Sequence, residues 1–192
     1  MSTRSDRRPT LIEQTRRAQL MEVVIMVVAE HGHAGASLQR IADAAGITKA
    51  AVLYHFPSKD ALVRASYEHV LETLVTTVGA AVDASDPADA PAAYIRTMIS
   101  HLRETPQHTR MIIEAVTNGL EDRDSSGRTE ALTLIMEQAR SARGGTGTVD
   151  LSVLSIMVSG AMDAIIAERL ERPDFDTALA AEELVRLIEP AL

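Results

Sequence analysis

The sequence predicts an all-α protein, and three observations carry that prediction. Hydrophobic residues make up 46% of the 192 residues, but aromatic ones only 3% with no Trp, so the core must be aliphatic. Abundant Ala and Leu with few aromatic residues favour helices. Apolar positions recur at spacings of three and four along most of the chain, which marks one face of a helix. Helix start and stop residues punctuate these runs. The expected architecture is about nine helices: a three-helix N-terminal domain over 1–57 and a larger helical domain over 58–192.

Residues 1–9 read as a solvated basic tail. The other reading is an arm whose Arg4, Arg7 and Arg8 reach a DNA minor groove. Thr10 is the N-cap of a helix from Leu11 to about Glu30, with Leu11, Ala18, Met21, Ile25 and Val28 on one face and Gly32 as its end. His31 and His33 lack further ligand residues beside them and read as surface positions rather than a metal site.

Residues 37–60, SLQRIADAAGITKAAVLYHFPSKD, are the stretch that organises the chain. Ser37 and Thr48 stand where N-caps are needed, for helices to about Ala45 and Phe56. Gly46 takes the turn between them, where a left-handed residue is required. Ile41, Ala42, Ala45, Ile47 and Val52 fall where two crossing helices touch, and small Ala42 permits a close approach. That spacing is a helix-turn-helix, whose second helix enters the DNA major groove. A plain helical hairpin with a Gly cap is the other reading of the same spacing.

Pro57 stops the second helix and Ser58 caps a long one running to about Val82, with Leu62, Tyr67, Val70, Leu71, Leu74 and Val78 as its apolar stripe. ASDPADAP, residues 84–91, is a break. Helices are then expected over Pro91–Glu104, from Pro106 to about Asn118, over Arg128–Arg143, over Val149–Leu170 and after Asp176. Glu121–Gly127 reads as a charged loop and residues 144–147 as a flexible link. The Val149–Leu170 segment is apolar nearly all round, so it must be covered on two sides.

Charge is divided unevenly. The whole chain carries 19 basic and 27 acidic residues, a net of −8. Residues 1–60 hold eight basic and six acidic side chains, a net of +2, which leaves −10 for the rest. A basic head on an acidic body suits a DNA reader whose body is repelled by phosphate. No Cys is present, which excludes disulfides and thiolate chemistry. The basic N-terminus leads into no adequate apolar region, so no signal peptide is expected. The longest apolar run, Val23–Ala29, is far short of the roughly 18 residues that span a bilayer. These readings point to a cytoplasmic protein with no membrane partner, no cofactor and no metal. Walker A, GxGxxG, HExxH and GxSxG patterns are missing, and Glu114 with His101 has no supporting spacing as an acid–base pair, so an enzyme is not expected.

The segment carrying Ser37-Leu38, Ile41-Ala42, Ala45-Gly46-Ile47, Thr48-Lys49, Tyr54-His55-Phe56, Lys59 and Leu62 resembles the DNA-binding region of the TetR (tetracycline-repressor-like) family of bacterial transcriptional regulators. The run YHFPSKDAL is close to the family's signature for the end of the recognition helix. The resemblance covers about the first third of the chain. Two positions depart from it: Ala50 stands where Gly is frequent, and Leu53 where a phosphate-touching Tyr is usual, with Tyr54 beside it to take that role.

The resemblance implies a dimeric regulator that leaves DNA when a small molecule binds its body. Ser37, Thr48, Lys49, Ala50, Leu53, Tyr54, His55 and Lys59 are then the candidate DNA contacts. Lys49, Thr48 and Ala50 would read bases, and Tyr54, His55 and Lys59 would meet phosphates. The last two helices are expected to form a four-helix bundle with a second copy through Leu151, Leu154, Val158, Met162, Ile165, Leu184 and Ile188. A pocket for an unknown effector is expected among Tyr94, Met98, His101, Met111, Glu114, Met136 and Met157, since Met lines adaptable apolar cavities. Ser152, Ser155, Ser159 and Asp163 form a polar stripe facing either pocket or solvent. The expected function is a homodimeric repressor on a near-palindromic double-stranded operator. The alternative is a helical protein-interaction module with a vestigial DNA head.

Overall fold

The computed structural model of the chain describes residues 10–119, 126–145 and 147–192. Among the described residues there are nine α-helices, a closing 3-10 turn and no strand. The basic arm at 1–9 and most of the expected charged loop at 121–127 lie outside the described residues.

The chain divides into two compact units. The first holds the described residues up to Leu71 together with 110–119, and the second holds Glu72–Thr109 and the described residues beyond 125. The single cut expected at residue 57 falls inside the first unit. The reason is visible in the core of the first unit: Met111 and Ala115 are buried in the same cluster as Leu20, Val24, Ile41, Val52 and Phe56, and so are Leu62, Tyr67 and Val70.

In the first unit, α1 (Leu11–Gly35) begins with a capping box. The Thr10 hydroxyl accepts from the Glu13 N–H at 3.3 Å, and the Glu13 carboxylate accepts from the Thr10 N–H at 2.7 Å. The buried face is Leu20, Val24, Ile25, Val27 and Val28. Leu11, expected on that face, is exposed, because the first turn extends beyond the core. Gly32 interrupts the helix with φ 68° and ψ 170°, and the chain continues through a last bent turn to Gly35. α2 (Leu38–Ala44) and α3 (Lys49–His55) follow, then the first half of α4 (Lys59–Asp83).

Two glycines should respond oppositely to alanine. At Gly32 an added Cβ would lie 3.4 Å from a Glu114 carboxylate oxygen and force a left-handed L-residue. Gly32→Ala is expected to cost about 1–2 kcal/mol. Gly79, inside α4, has nothing within 4 Å of an added Cβ, so Gly79→Ala should stabilise by roughly 0.5–1 kcal/mol. Urea unfolding of the two variants checks both signs.

In the second unit, α5 (Ala90–Glu104), α7 (Ser126–Ala142), α8 (Leu151–Glu171) and α9 (Thr177–Ile188) pack on one another. Tyr94, Ile95, Met98 and Ile99 of α5 are buried, with Leu132 and Met136 of α7, Val158 and Met162 of α8, and Leu184, Val185 and Ile188 of α9. α6 (Pro106–Thr117) and α4 each contribute residues to both units. α8 starts two residues later than expected, because the Asp150 carboxylate caps it by accepting from the Ser152 and Val153 N–H groups. Those bonds and the Ser152 hydroxyl hold the Asp150 carboxyl below the usual range, the hydroxyl most of all. Asp176 caps α9 in the same way, as expected. The closing turn is tied down by Arg140, whose guanidinium donates to the Ala191 and Val149 carbonyls, each at 2.8 Å.

Candidate nucleic-acid interface

The turn between α2 and α3 is built as the spacing requires. Gly46 has φ 64°. The Gly46 N–H donates to the Asp43 carbonyl at 3.1 Å and the Ile47 N–H to the Ala42 carbonyl at 3.0 Å, so the corner satisfies its own backbone. Ser37 caps α2 and Thr48 caps α3, their hydroxyls accepting from the Arg40 and Ala51 N–H groups at 3.2 and 3.1 Å. Ile41, Ala42, Val52 and Phe56 are buried, and Ala45 and Ile47 pack partly buried against them.

This packing fixes which side of α3 faces outward. Lys49, Ala50, Leu53 and Tyr54 are exposed, Tyr54 to 74% and Leu53 to 39%. His55 is half-buried and stands edge-on to the Tyr54 ring, 5.1 Å between centroids and 84° between planes. The end of α3 is held from α1: the Arg17 guanidinium lies 3.9 Å from the centroid of the Phe56 ring and donates to the His55 carbonyl. Ser58 caps α4 by accepting from the Ala61 N–H at 3.0 Å.

Lys59 behaves differently from the expectation. Its ammonium donates to the His33 carbonyl at 2.6 Å, so a phosphate contact through Nζ requires that bond to be released. The same residue 33 is held from its other side, because the His33 N–H donates to a Glu114 carboxylate oxygen at 2.7 Å. His33 is thus half-buried, not a plain surface residue, and bracketed by a cation and an anion. Glu114 was expected in an effector pocket; it is a framework residue of the head. Glu114→Ala should destabilise the first unit by about 1–3 kcal/mol by orphaning the His33 N–H. Glu114→Gln, whose amide oxygen can still accept, should recover most of that loss, as chemical denaturation will read. The framework roles of Arg17 and Glu114 are not legible in the sequence, since their partners lie 38 and 81 residues away.

The structure places the residues expected at the dimer interface and at the pocket as follows. Of the seven residues expected at a dimer interface, Leu151, Val158, Met162, Leu184 and Ile188 are buried within the single chain, and Leu154 and Ile165 are partly buried. The opposite face of α8 is the open one: Val153, Ile156 and Met157 are exposed, the last two to 62% and 66%, and so are Leu179 and Leu187 of α9. The seven residues expected at a pocket are dispersed in the structure. Met98, Met136 and Tyr94 are core, Met111 is buried in the first unit, and Met157 is exposed. His101 and Glu114 are partly buried, the His101 ring 5.9 Å from that of His108. An open groove of ≈ 660 Å³ lies instead among Thr133, Glu137, Arg140, Val149, Asp150 and Ser152.

The polar stripe on α8 is divided, with Ser155 and Ser159 buried and Ser152 and Asp163 exposed. The Ser155 hydroxyl donates to the Leu151 carbonyl at 2.8 Å and accepts from Thr133 at 2.9 Å. Asp163 accepts two bonds from Arg128, both at 2.8 Å. Burial pushes the Tyr94 hydroxyl up, while Arg128 nearby opposes it and Asp163 adds to it. By length and composition alone α8 could cross a membrane, although its longest uninterrupted apolar runs are shorter than Val23–Ala29. Its Asp163–Arg128 pair and Ser155 bonds make it a bundle helix here.

An all-helical chain with a capped helix-turn-helix and a separate helical body is the architecture of a DNA-binding regulator. Residues 20–66 match the family described as bacterial regulatory proteins, tetR family. Over 96 residues the chain is 29% identical to the HTH-type transcriptional regulator RutR of Escherichia coli (strain K12), covering 50% of this chain and 45% of RutR. It therefore spans just under half the length of that relative. Among solved structures, a TetR transcription regulator from Haloarcula marismortui superposes with a TM-score of 0.80 at 20% identity, over 93% of this chain and 98% of that one. The transcriptional regulator FadR from Bacillus subtilis, solved in complex with stearoyl-CoA, superposes with a TM-score of 0.72 at 14% identity, over 91% and 98%. These structural likenesses concern the fold. Residues 20–66 are thus similar to the helix-turn-helix domain of the TetR family, and the whole chain has the fold of TetR-like regulators.

Proposed function

We propose that the protein is a homodimeric, ligand-responsive repressor that reads a near-palindromic DNA operator with α3. The observation that carries this reading is the outward face of α3. Lys49, Ala50, Leu53 and Tyr54 are exposed on a short helix whose other side is locked into a core by Val52 and Phe56. A major groove admits a helix presented in this way. Contacts from Ser37, Thr48, Tyr54 and His55 would set the register on the backbone.

Dimerisation is supported by the exposed apolar face of α8 and α9. The exposed Val153, Ile156 and Met157 of α8 and Leu179 and Leu187 of α9 suit a two-fold interface with a second copy. Such symmetry matches an operator of two half-sites. The effector reading rests on the family and on FadR having been solved with stearoyl-CoA; a small molecule would favour a body conformation unsuited to DNA. A DNA reader of this kind works in the cytoplasm, without a cofactor and without a membrane.

Selection of binding sequences from a random double-stranded library by the full chain tests the reading. An enriched inverted repeat is expected, bound with an affinity that falls steeply with salt. No enrichment from a folded dimer would favour the helical interaction module with a vestigial head.

A further inference from the structure

The outward face of α3 has an unusual chemistry for a base reader. Between Thr48 and Phe56 there is no Arg, Asn, Gln, Asp or Glu, the side chains that pair bidentately with guanine, adenine or cytosine edges. The polar groups that remain are partly committed. The Thr48 hydroxyl accepts from the Ala51 N–H as the α3 cap. His55 is half-buried at the end of the helix, against the Tyr54 ring. Lys49 is free to reach a base or a phosphate, but as a single flexible point charge it discriminates bases weakly. Ala50 and Leu53 stand one turn apart on this face, so their side chains are neighbours. Both are exposed, and Leu53 is not among the partly buried residues that pack on the core of the head.

We propose that Ala50 and Leu53 determine operator specificity by apolar contact with the C5-methyl group of a pyrimidine in the major groove. The inference rests on the reading of the protein as a DNA binder and names how that binder chooses its sequence. The occupant is set by chemistry. In the major groove the one apolar group a base pair offers is the thymine C5-methyl. The flanking Lys49 and the basic balance of the first 60 residues favour a polyanion over an apolar protein surface. An apolar side chain of leucine size on the reading face gains only where that methyl is present. It loses where a cytosine amino group must be desolvated without a partner. Because C5-methylcytosine carries the same methyl, the protein should also respond to cytosine methylation within its site.

The test uses the full chain and the operator obtained from a random double-stranded library. Each thymine in a half-site is replaced in turn by uracil, which removes the methyl and leaves every hydrogen-bonding group in place. At one or two positions per half-site the affinity should fall about three- to tenfold, the effect of losing one buried methyl. In Leu53→Ala, thymine and uracil operators should bind alike at that position, and Ala50→Gly should flatten a neighbouring one. Leu53 is partly exposed and outside the core, so Leu53→Ala should fold, as its melting temperature will show. If every uracil operator binds as tightly as its thymine parent, the inference is overturned while DNA reading stands. A thymine preference that persists unchanged in both variants also overturns it. If no sequence is enriched at all, the DNA-binding reading itself fails.

Discussion

Ile156→Glu combined with Met157→Glu should leave a monomer at micromolar concentration, with operator affinity reduced at least a hundredfold. The two side chains are 62% and 66% exposed in the single chain, so most of their apolar surface is still to be covered. Fully burying a side chain of this size contributes about 1.5–3 kcal/mol. Two such residues from each of two copies, at about two-thirds of that value, supply roughly 4–8 kcal/mol of association energy as an upper estimate. Glutamates in their place also oppose each other across the two-fold axis. The fall in DNA affinity follows, since a monomer grips one half-site and loses the gain from linking two. Sedimentation equilibrium reads the first effect and fluorescence anisotropy the second. Leu134→Glu, an exposed apolar residue on α7, is the control and should stay dimeric. A double glutamate variant that remains a dimer would place the interface elsewhere.

Phe56→Ala should abolish DNA binding while leaving the second unit folded. Phe56 is 1% exposed, and it carries the Arg17 guanidinium on its face. Removing a buried aromatic ring costs about 3–5 kcal/mol. That is a large share of the 5–15 kcal/mol typical of a whole domain, and the head is small. The loss falls on the packing that holds α3 against α1 and α2, so the reading face loses its orientation before the body is affected. Hydrogen exchange should show protection lost over α2 and α3 and retained over α5, α8 and α9. Uniform loss of protection throughout the chain would mean that the two units unfold together.

The head was legible because its signals are local. Ser37, Gly46 and Thr48 act on neighbours three or four residues away, and the observed helices begin within one residue of where those caps put them. Lys59 reads from sequence as a phosphate contact and His33 as a surface residue, because the bond between them joins residues 26 apart. On α8 the periodicity is weak: apolar residues surround the helix, so counting positions cannot say which side meets the chain's own core. Leu151, Val158 and Met162 proved to be the inner side, and Val153, Ile156 and Met157 the outer. The placement of the residues expected at a pocket has a related reason. Met136 and Met98 fill an aliphatic core, where an adaptable side chain is as useful as in a cavity.

The central claim is that α3 reads DNA sequence. It is tested most directly by the ratio of operator affinity to random-DNA affinity, measured at one salt concentration for the parent chain and for Lys49→Ala. The account predicts a ratio of at least about a thousand for the parent, in the range of specific DNA readers. Lys49→Ala should lower operator affinity severalfold and the ratio by less, because a flexible point charge adds attraction more than discrimination. A parent ratio near one, or a Lys49→Ala protein whose affinity and ratio both match the parent, would contradict it.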